Sequence, residues 1–384
     1  MRFATFILIW LLLVSPTLAS DGLLSPAANP PVVLLQDNPI INGSMDVWQR
    51  GTTFAGLSVG TYTADRWAYS QGLAGAVVTV NQSTSVPTLD QSNMLFNYSF
   101  EMDVTTADAS IAAGDYHMVI QVIEGYNWRP FAQKPFIFSF WVRDTITGEH
   151  AVAFRNSGLN RSYIATYTIN TADTWEYKTV TVPASPSAGT WNYTNGSGLL
   201  VSFTLSVGST LQTTAGAWQT GNYLGTSTTV NSMSSTSNFF RVTGVKLEYA
   251  SVANSNVIPF RQFASELELC KRYYQKSFLY ATTPAQNAGA NTGEFVFPAM
   301  LVGALAERSS TNVYAVQLRA TATPTLYNPS AANAQVRDET GAVDTTASAI
   351  VGASDRGFAV SATGNAATAV GNLLGVHWTV DAEL

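Results

Sequence analysis

The chain has 384 residues, of which only 11% are charged, and a net charge of −6. That balance excludes recognition of nucleic acid or an anionic membrane by a basic patch, since no run of Lys and Arg occurs. A single cysteine, Cys270, excludes an intrachain disulfide, so the fold must rest on its core. Low charge, with Ser, Thr, Asn, Gly and aromatics filling the gap, suits β-sandwiches, fibres and surface proteins. At about 150 residues per domain, the length predicts two domains and a tail.

Residues 1–19 carry one Arg, an apolar run from Phe6 to Val14, and a small-residue site ending at Ala19. This is the pattern of a secretory signal peptide. Residues 20–37, with Pro26, Pro30 and Pro31, predict an extended linker. Ile40, Met45 and Val47 alternate toward a strand, and Trp48 and Trp67 stand near turns, where core packing is their simplest role. Asp65 and Arg66 pair or cap a turn; a single carboxylate is thin ground for calcium.

Alternating segments follow: AVVTVNQ, NMLFNYSFEMDV, DYHMVIQVIEG, PFIFSFWVR, HAVAFRN, SYIATYTIN, TWEYKTVTVPA, LLVSFTLSV and FFRVTGVKLEY. These predict about nine strands with turn-marked spacing, the signature of an antiparallel β-sandwich over 38–258. PFIFSFWVR, the most apolar, reads as the sheet centre, and Thr243-Gly244 as a bulge site. From Arg261 the period changes. Phe263, Leu267, Cys270, Tyr274 and Phe278 fall on one helical face, predicting a connecting helix over 259–280. Cys270 on that face reads as a buried apolar residue, with an intermolecular disulfide as the alternative. Residues 281–384 predict a second, smaller β-sandwich of six or seven strands from EFVFP, NVYAVQLRA, PTLYN, AQVRDE, GFAVSA and LLGVHWTVDAEL. His377 there reads as a packed neutral histidine.

Two loops combine aromatics with amides and arginine, the groups that stack on sugar faces and bond hydroxyls. The first holds Tyr126, Asn127, Trp128 and Arg129; the second holds Trp218, Asn222 and Tyr223. The same residues would equally suit packing onto the sandwich or contact between subunits. No catalytic chemistry is legible. His117, His150 and His377 are far apart without metal spacing, and no G-x-S-x-G, H-E-x-x-H, Walker loop or GxGxxG after a strand occurs. Glu101 and Asp103 share one strand face, which would serve a glycosidase only with a facing partner. No cofactor is expected.

The blocks VWQRGTTF, YTADRW, VTTADASIAAGDYHMVIQVIEGYNW, KPFIFSFWVR, ADTWEYKTVTVP, TTAGAWQTGNYLGTS, VTGVKLEYASVA and EL.LC.RYYQKS resemble, in order, a family of tailed-phage tail-fibre proteins. Their β-sandwich is a jelly roll like that of carbohydrate-binding modules. The resemblance runs from about Asn38 to Lys276 and continues more weakly to the closing DAEL. It implies a non-enzymatic virion protein for host attachment through a surface glycan. It also implies a homotrimer, other tail proteins as partners, and a tip position for residues 281–384. The signal peptide points instead to a secreted or cell-surface carbohydrate-binding adhesin. A structural fibre segment without ligand is the third reading.

Overall fold

A computed structural model describes residues 38–72, 75–250 and 261–384, and residues 38–384 fall into one compact unit. The expected signal peptide, the 20–37 linker and the link around Pro259 lie outside the described residues. The strands of the first part are β1 (Thr53–Leu57), β2 (Thr61–Tyr62), β3 (Trp67–Gln71), β4 (Val77–Ser83), β5 (Ser99–Thr106), β6 (Tyr116–Glu124) and β7 (Phe136–Asp144). They continue as β8 (Gly148–Asn156), β9 (Ser162–Ile169), β10 (Glu176–Val182), β11 (Ser197–Val207), β12 (Trp218–Gln219) and β13 (Phe239–Tyr249). A six-stranded sheet, β1-β4-β5-β13-β7-β10, faces a seven-stranded sheet, β12-β9-β8-β11-β6-β3-β2. Every strand pair in both sheets is antiparallel, and together they form a jelly-roll-like sandwich.

Alternation builds this core. Inward residues of β7 (Phe136, Phe138, Phe140, Val142) meet Val152 and Phe154 of β8 and Val201 and Phe203 of β11, all with no exposure. The rings of Phe140 and Phe203 meet edge-on at 4.9 Å and 81°, and Phe138 meets Phe154 at 5.3 Å and 84°, the arrangement aromatic quadrupoles favour. Truncating any one of these to Ala would cost about 3–5 kcal/mol through lost burial and a residual cavity. β7 is the most apolar strand but sits next to the edge strand β10, with β5 and β13 at the centre. The sheet centre thus differs from the expected one, because hydrophobicity reports burial on both faces rather than position in the sheet.

The opening segment also differs from expectation. Residues 38–50 form turns rather than a strand, with Asn42 and Met45 at positive φ (56° and 59°), yet Ile40, Met45, Val47 and Trp48 are buried. Asn38 holds this segment down: its amide nitrogen donates to the Val245 carbonyl at 3.0 Å, and its oxygen accepts from Leu247 N at 3.0 Å. The ladder of β13 shifts register between Thr243 and Lys246, at the bulge the sequence marks, and Gly43 docks there. A Cβ on Gly43 would stand 2.2 Å from the Val245 carbonyl oxygen, so only glycine fits.

The predicted connecting helix is shorter than its apolar periodicity. α1 (Leu89–Ser92) and α2 (Gly125–Trp128) are single turns, and α3 spans only Phe263–Lys271. Residues Tyr274–Lys276 form β14, paired with Thr379–Asp381, and Phe278 lies beyond it. Tertiary contacts override the period: Glu124 fixes both Arg272 and Tyr273, and β14 gains a ladder that a longer helix would forgo. Phe263 is 50% exposed instead of buried on the shared face, whereas Tyr273 and Tyr274 are both buried. Cys270 has no exposure and is a free thiol, so an intermolecular disulfide has no route to it.

The second part adds β15 (Phe295–Pro298), β16 (Ala306–Arg308), β17 (Asn312–Val313), β18 (Thr325–Tyr327), β19 (Arg337–Asp338), β20 (Val343–Asp344), β21 (Ala347–Val351), β22 (Gly357–Thr363) and β23 (Leu373–Asp381). They form two antiparallel sheets, one centred on β23 and one on β22, around Tyr314, Phe358, Val360, Val376 and Trp378. His377 is buried, with Nδ1 at 2.9 Å from Ser277 Oγ and Nε2 donating to the Ala290 carbonyl at 2.8 Å. Burial holds it below the usual imidazole range, so it packs neutral. This part joins the sandwich through buried charge. The Glu124 carboxylate accepts from Arg272 Nε (2.8 Å), Arg272 Nη2 (2.6 Å) and Tyr273 OH (2.6 Å), while Glu383 bonds Arg66 and Arg50.

Candidate functional site

Three loops meet at one end of the sandwich. They are the β8–β9 connection around Asn160 and Arg161, the segment 188–196 before β11, and the segment 213–223 carrying β12. Asn160 ties them together: its carbonyl accepts from Gly221 N at 3.2 Å, and its side-chain oxygen accepts from Thr190 N at 3.1 Å. Turn-forming Asn and Gly make such loops possible. At Gly189, φ is 101° and a Cβ would meet the Arg161 side chain at 2.7 Å, so the backbone passes close beneath the guanidinium stem.

Aromatic rings run through these loops as a row. Trp128 stacks on Trp191 with centroids 6.0 Å apart and planes at 21°. Trp191 meets Trp218 edge-to-face at 5.8 Å and 72°, and Trp218 meets Tyr163 at 5.7 Å. The inner member, Trp128, is wholly buried against Phe131, Phe136 and Trp191. It therefore offers no ring face to a ligand, and its place in the predicted first-loop site gives way to packing. Trp191 and Trp218 are half-buried, each locked by an indole N–H donated to a backbone carbonyl, Ala188 at 3.1 Å and Pro183 at 3.1 Å. Fixed rings lose little conformational entropy on stacking a ligand.

The other sequence-predicted residues divide. Tyr126 and Asn127 on α2 and Arg129 just after it are exposed, and α2 abuts the row because Tyr126 N donates to the Thr194 carbonyl at 2.8 Å. Asn222 is half-buried and committed: its side-chain oxygen accepts from Arg155 Nη1 at 2.9 Å. Burial pushes that guanidinium down to about 10, with only neutral partners around it. Tyr223 packs its ring on the outer apolar face of the seven-stranded sheet, beside Leu224. The structure thus joins the two predicted loops through Trp191, which sequence reasoning missed. Its signal was present in the run Thr190–Gly196 (TWNYTNG), with two aromatics and two amides between strands.

The charge of this surface limits its chemistry. Segments 156–162, 188–196 and 213–223 contain no Asp or Glu, and Arg161 is their one charged residue. Glycoside cleavage needs two carboxylates about 5–9.5 Å apart, and this surface supplies none. The pair expected from sequence, Glu101 and Asp103, lies on the opposite sheet's strand β5, bridged by Asn81 Nδ2 (3.5 and 3.1 Å) and paired with Arg241. Burial and Glu101 push Asp103 up to about 6; burial also raises Glu101, but Arg241, Ser83 and Asp103 together bring that carboxyl below its usual range.

A cleft of about 340 Å³ lies elsewhere, lined by Asp46, Asn97, Tyr98, Arg261, Phe263 and Glu266 among others. Of its two carboxylates, Glu266 is spent on Arg261 and the Asn42 N–H, and Asp46 accepts from Asn97 Nδ2 at 3.3 Å, so the cleft is a braced seam between α3 and the sandwich. Among the described residues no helix is long and apolar enough to cross a membrane.

No protein-family model matches the sequence, and no curated protein matches it. Among solved structures, the enzymatically active domain of tailspike protein 4 of bacteriophage CBA120 is similar at 14% identity and a TM-score of 0.29, over 55% of this chain and 21% of that one. The chain thus spans about a fifth of the tailspike domain's length. A family 11 carbohydrate-binding module from Clostridium thermocellum, in complex with a mixed-linked tetrasaccharide, is similar at 12% identity and a TM-score of 0.28, over 52% of this chain and 97% of the module. A CBM22-1 xylan-binding domain from Paenibacillus barcinonensis is similar at 10% identity and a TM-score of 0.24, over 53% and 99%. Likeness at this level concerns strand arrangement and assigns neither ligand nor partner.

Proposed function

We propose that this chain is a non-enzymatic glycan-binding protein of the phage tail-fibre type, attaching its particle to a neutral host-surface sugar. The observation that carries the reading is the Trp191–Trp218 pair: two half-buried rings, each held by its indole N–H, in loops that also carry Asn160, Arg161, Asn192 and Gln219 and no carboxylate. Indole faces stack on the C–H face of a pyranose, and Asn, Gln and Arg groups bond its hydroxyls. The ordered blocks that resemble those of tail-fibre proteins support the virion setting. A secreted adhesin on the same sandwich would use the same surface.

Assembly of several copies fits this reading, because single sugar sites bind weakly and presentation together multiplies avidity. Exposed apolar residues support a self-association surface: Met300, Val302, Leu305 and Val370 are 53–67% exposed and are joined through backbone bonds from Gly303 N to Thr368 O and from Gly371 N to Ala299 O. The homotrimer implied by the resemblance is the state we assign to it. The test of the reading is a glycan array probed with the full chain: retention of neutral oligosaccharides supports it, and an empty array, or binding only to polyanionic glycans through charge, refutes it.

A further inference from the structure

At the other end of the strand that leads to Glu124, three metal-ligating side chains converge. Asp108 lies in the β5–β6 connection, Asp115 precedes β6, and His117 is the second residue of β6; one ligand atom from each lies within 4.8 Å of the others. Asp115 and His117 are two apart at the start of an extended strand and so share a face. His117 has no exposure, Asp115 is buried, and Asp108 is half-buried at the open side.

The hydrogen bonds around the cluster leave one atom of each residue for a shared centre. Gln71 Nε2 donates to the Ser58 carbonyl at 2.5 Å, which turns Gln71 Oε1 toward Tyr69; the Tyr69 hydroxyl donates to that oxygen at 2.8 Å. With its hydrogen so used, the Tyr69 oxygen accepts from His117 Nδ1–H at 2.8 Å. The tautomer is thereby fixed, and it leaves the Nε2 lone pair 3.8 Å from Asp108 Oδ2, with no hydrogen-bond partner among the described residues. Asp115 Oδ1 accepts from Tyr116 N at 2.7 Å and Asp108 Oδ1 from Ser110 N at 3.2 Å, leaving the second oxygen of each. A buried acceptor facing carboxylate acceptors is unfavourable unless a cation lies between them. Ser206, opposite His117 in the β6–β11 ladder, also has a buried hydroxyl without a partner among the described residues. Gly75 keeps the space free, since a Cβ there would stand 2.3 Å from Asp108 Oδ2.

We propose that Asp108, Asp115 and His117 bind one divalent transition cation of the zinc class. An imidazole nitrogen with two carboxylates suits zinc, cobalt or nickel, whereas calcium takes six to eight oxygens. The Tyr69–His117 bond is the outer contact that orients the ring and fixes its tautomer. The bound ion clips the β5–β6 connection to β6 and closes that end of the sandwich.

The test uses the full chain, stripped with EDTA and titrated calorimetrically with Zn2+ and, separately, Ca2+, with Co2+ absorption spectra as a second readout. The expected results are one Zn2+ per chain, a raised melting temperature, and a Co2+ spectrum that loses its d–d bands in His117→Gln. Asp108→Asn, at the half-open side, removes a ligand with least risk to the fold, and Tyr69→Phe keeps all three ligands. Both should weaken Zn2+ roughly tenfold or more. No Zn2+ uptake by the wild type, equal uptake by folded Asp108→Asn, or preference for Ca2+ would overturn the proposal.

Discussion

Replacing Glu383 by Ala should loosen the second part of the molecule from the sandwich. Glu383 is 4% exposed and is the ion-pair partner of Arg66, which is itself 1% exposed. Arg66 also donates to the Val122 carbonyl, its Nε has no partner among the described residues, and its guanidinium carbon lies 3.5 Å from the centre of the Tyr273 ring. Arg50, the second partner of Glu383, keeps Asp381 at 3.0 Å and Asp65 at 3.8 Å. The variant therefore strands one buried cation, at a cost of about 3–5 kcal/mol. For a chain of this size the shift in thermal midpoint is roughly 5 °C. Glu383→Gln keeps an acceptor and should cost less, about 1.5–3 kcal/mol. The double variant Arg66→Met/Glu383→Met removes the charge with its partner and should recover most of the loss, because neither ion then pays for desolvation. Urea unfolding followed by tryptophan fluorescence and circular dichroism reads all three. A Glu383→Ala midpoint equal to wild type, or a double variant no more stable than the single one, would refute the reasoning.

Burial pushes the Asp144 carboxyl up to about 7, against bonds from Ile146 N and Ser232 Oγ, with His150 Nδ1 at 3.8 Å. A carboxyl raised in the folded state binds more protons there than in the unfolded chain, so its contribution falls as pH rises from about 4 to 7, by at most about 4 kcal/mol. Asp144→Asn should flatten that slope in urea titrations at pH 5 and pH 8; an unchanged slope would contradict the assignment. Trp128→Ala should cost about 3–5 kcal/mol of stability, as a core cavity does, and a stable variant with lost sugar binding would instead make Trp128 a ligand residue. Val302→Glu with Leu305→Glu should convert the assembled species to a smaller one by light scattering, and a monomeric wild type would remove the basis for assembly. Gly43→Ala should lower the melting temperature measurably, since its Cβ would meet a backbone carbonyl rather than a movable side chain.

The sandwich was legible because strands such as β7, β8 and β11 alternate or run apolar over seven or more residues, and tertiary structure respected that pattern. The bulge at Thr243-Gly244 was legible for the same reason, since a glycine interrupts an otherwise regular period. α3 was over-read: Tyr274 and Phe278 continue a helical spacing, but Arg272 and Tyr273 are claimed by Glu124, far away in sequence. The candidate site was half legible. Trp218 and α2 stood out as aromatics among amides, yet the ring that joins them, Trp191, lies in a third loop. Exposure decided the remainder, since only packing distinguishes the buried Trp128 from its neighbour Tyr126, which is 48% exposed. The Asp108, Asp115 and His117 cluster matches no familiar spacing, and only the β5–β6 connection brings its first member back.

The most direct measurement is a calorimetric titration of the full chain with the best neutral oligosaccharide from the array, repeated with Trp191→Ala, Trp218→Ala and Arg161→Ala after circular dichroism confirms their folds. Weak binding by the wild type, reduced about tenfold or more by each tryptophan change and partly restored by Trp218→Phe, is the predicted result. Undiminished binding by the folded tryptophan variants would contradict the account and move the sugar site off this end of the sandwich.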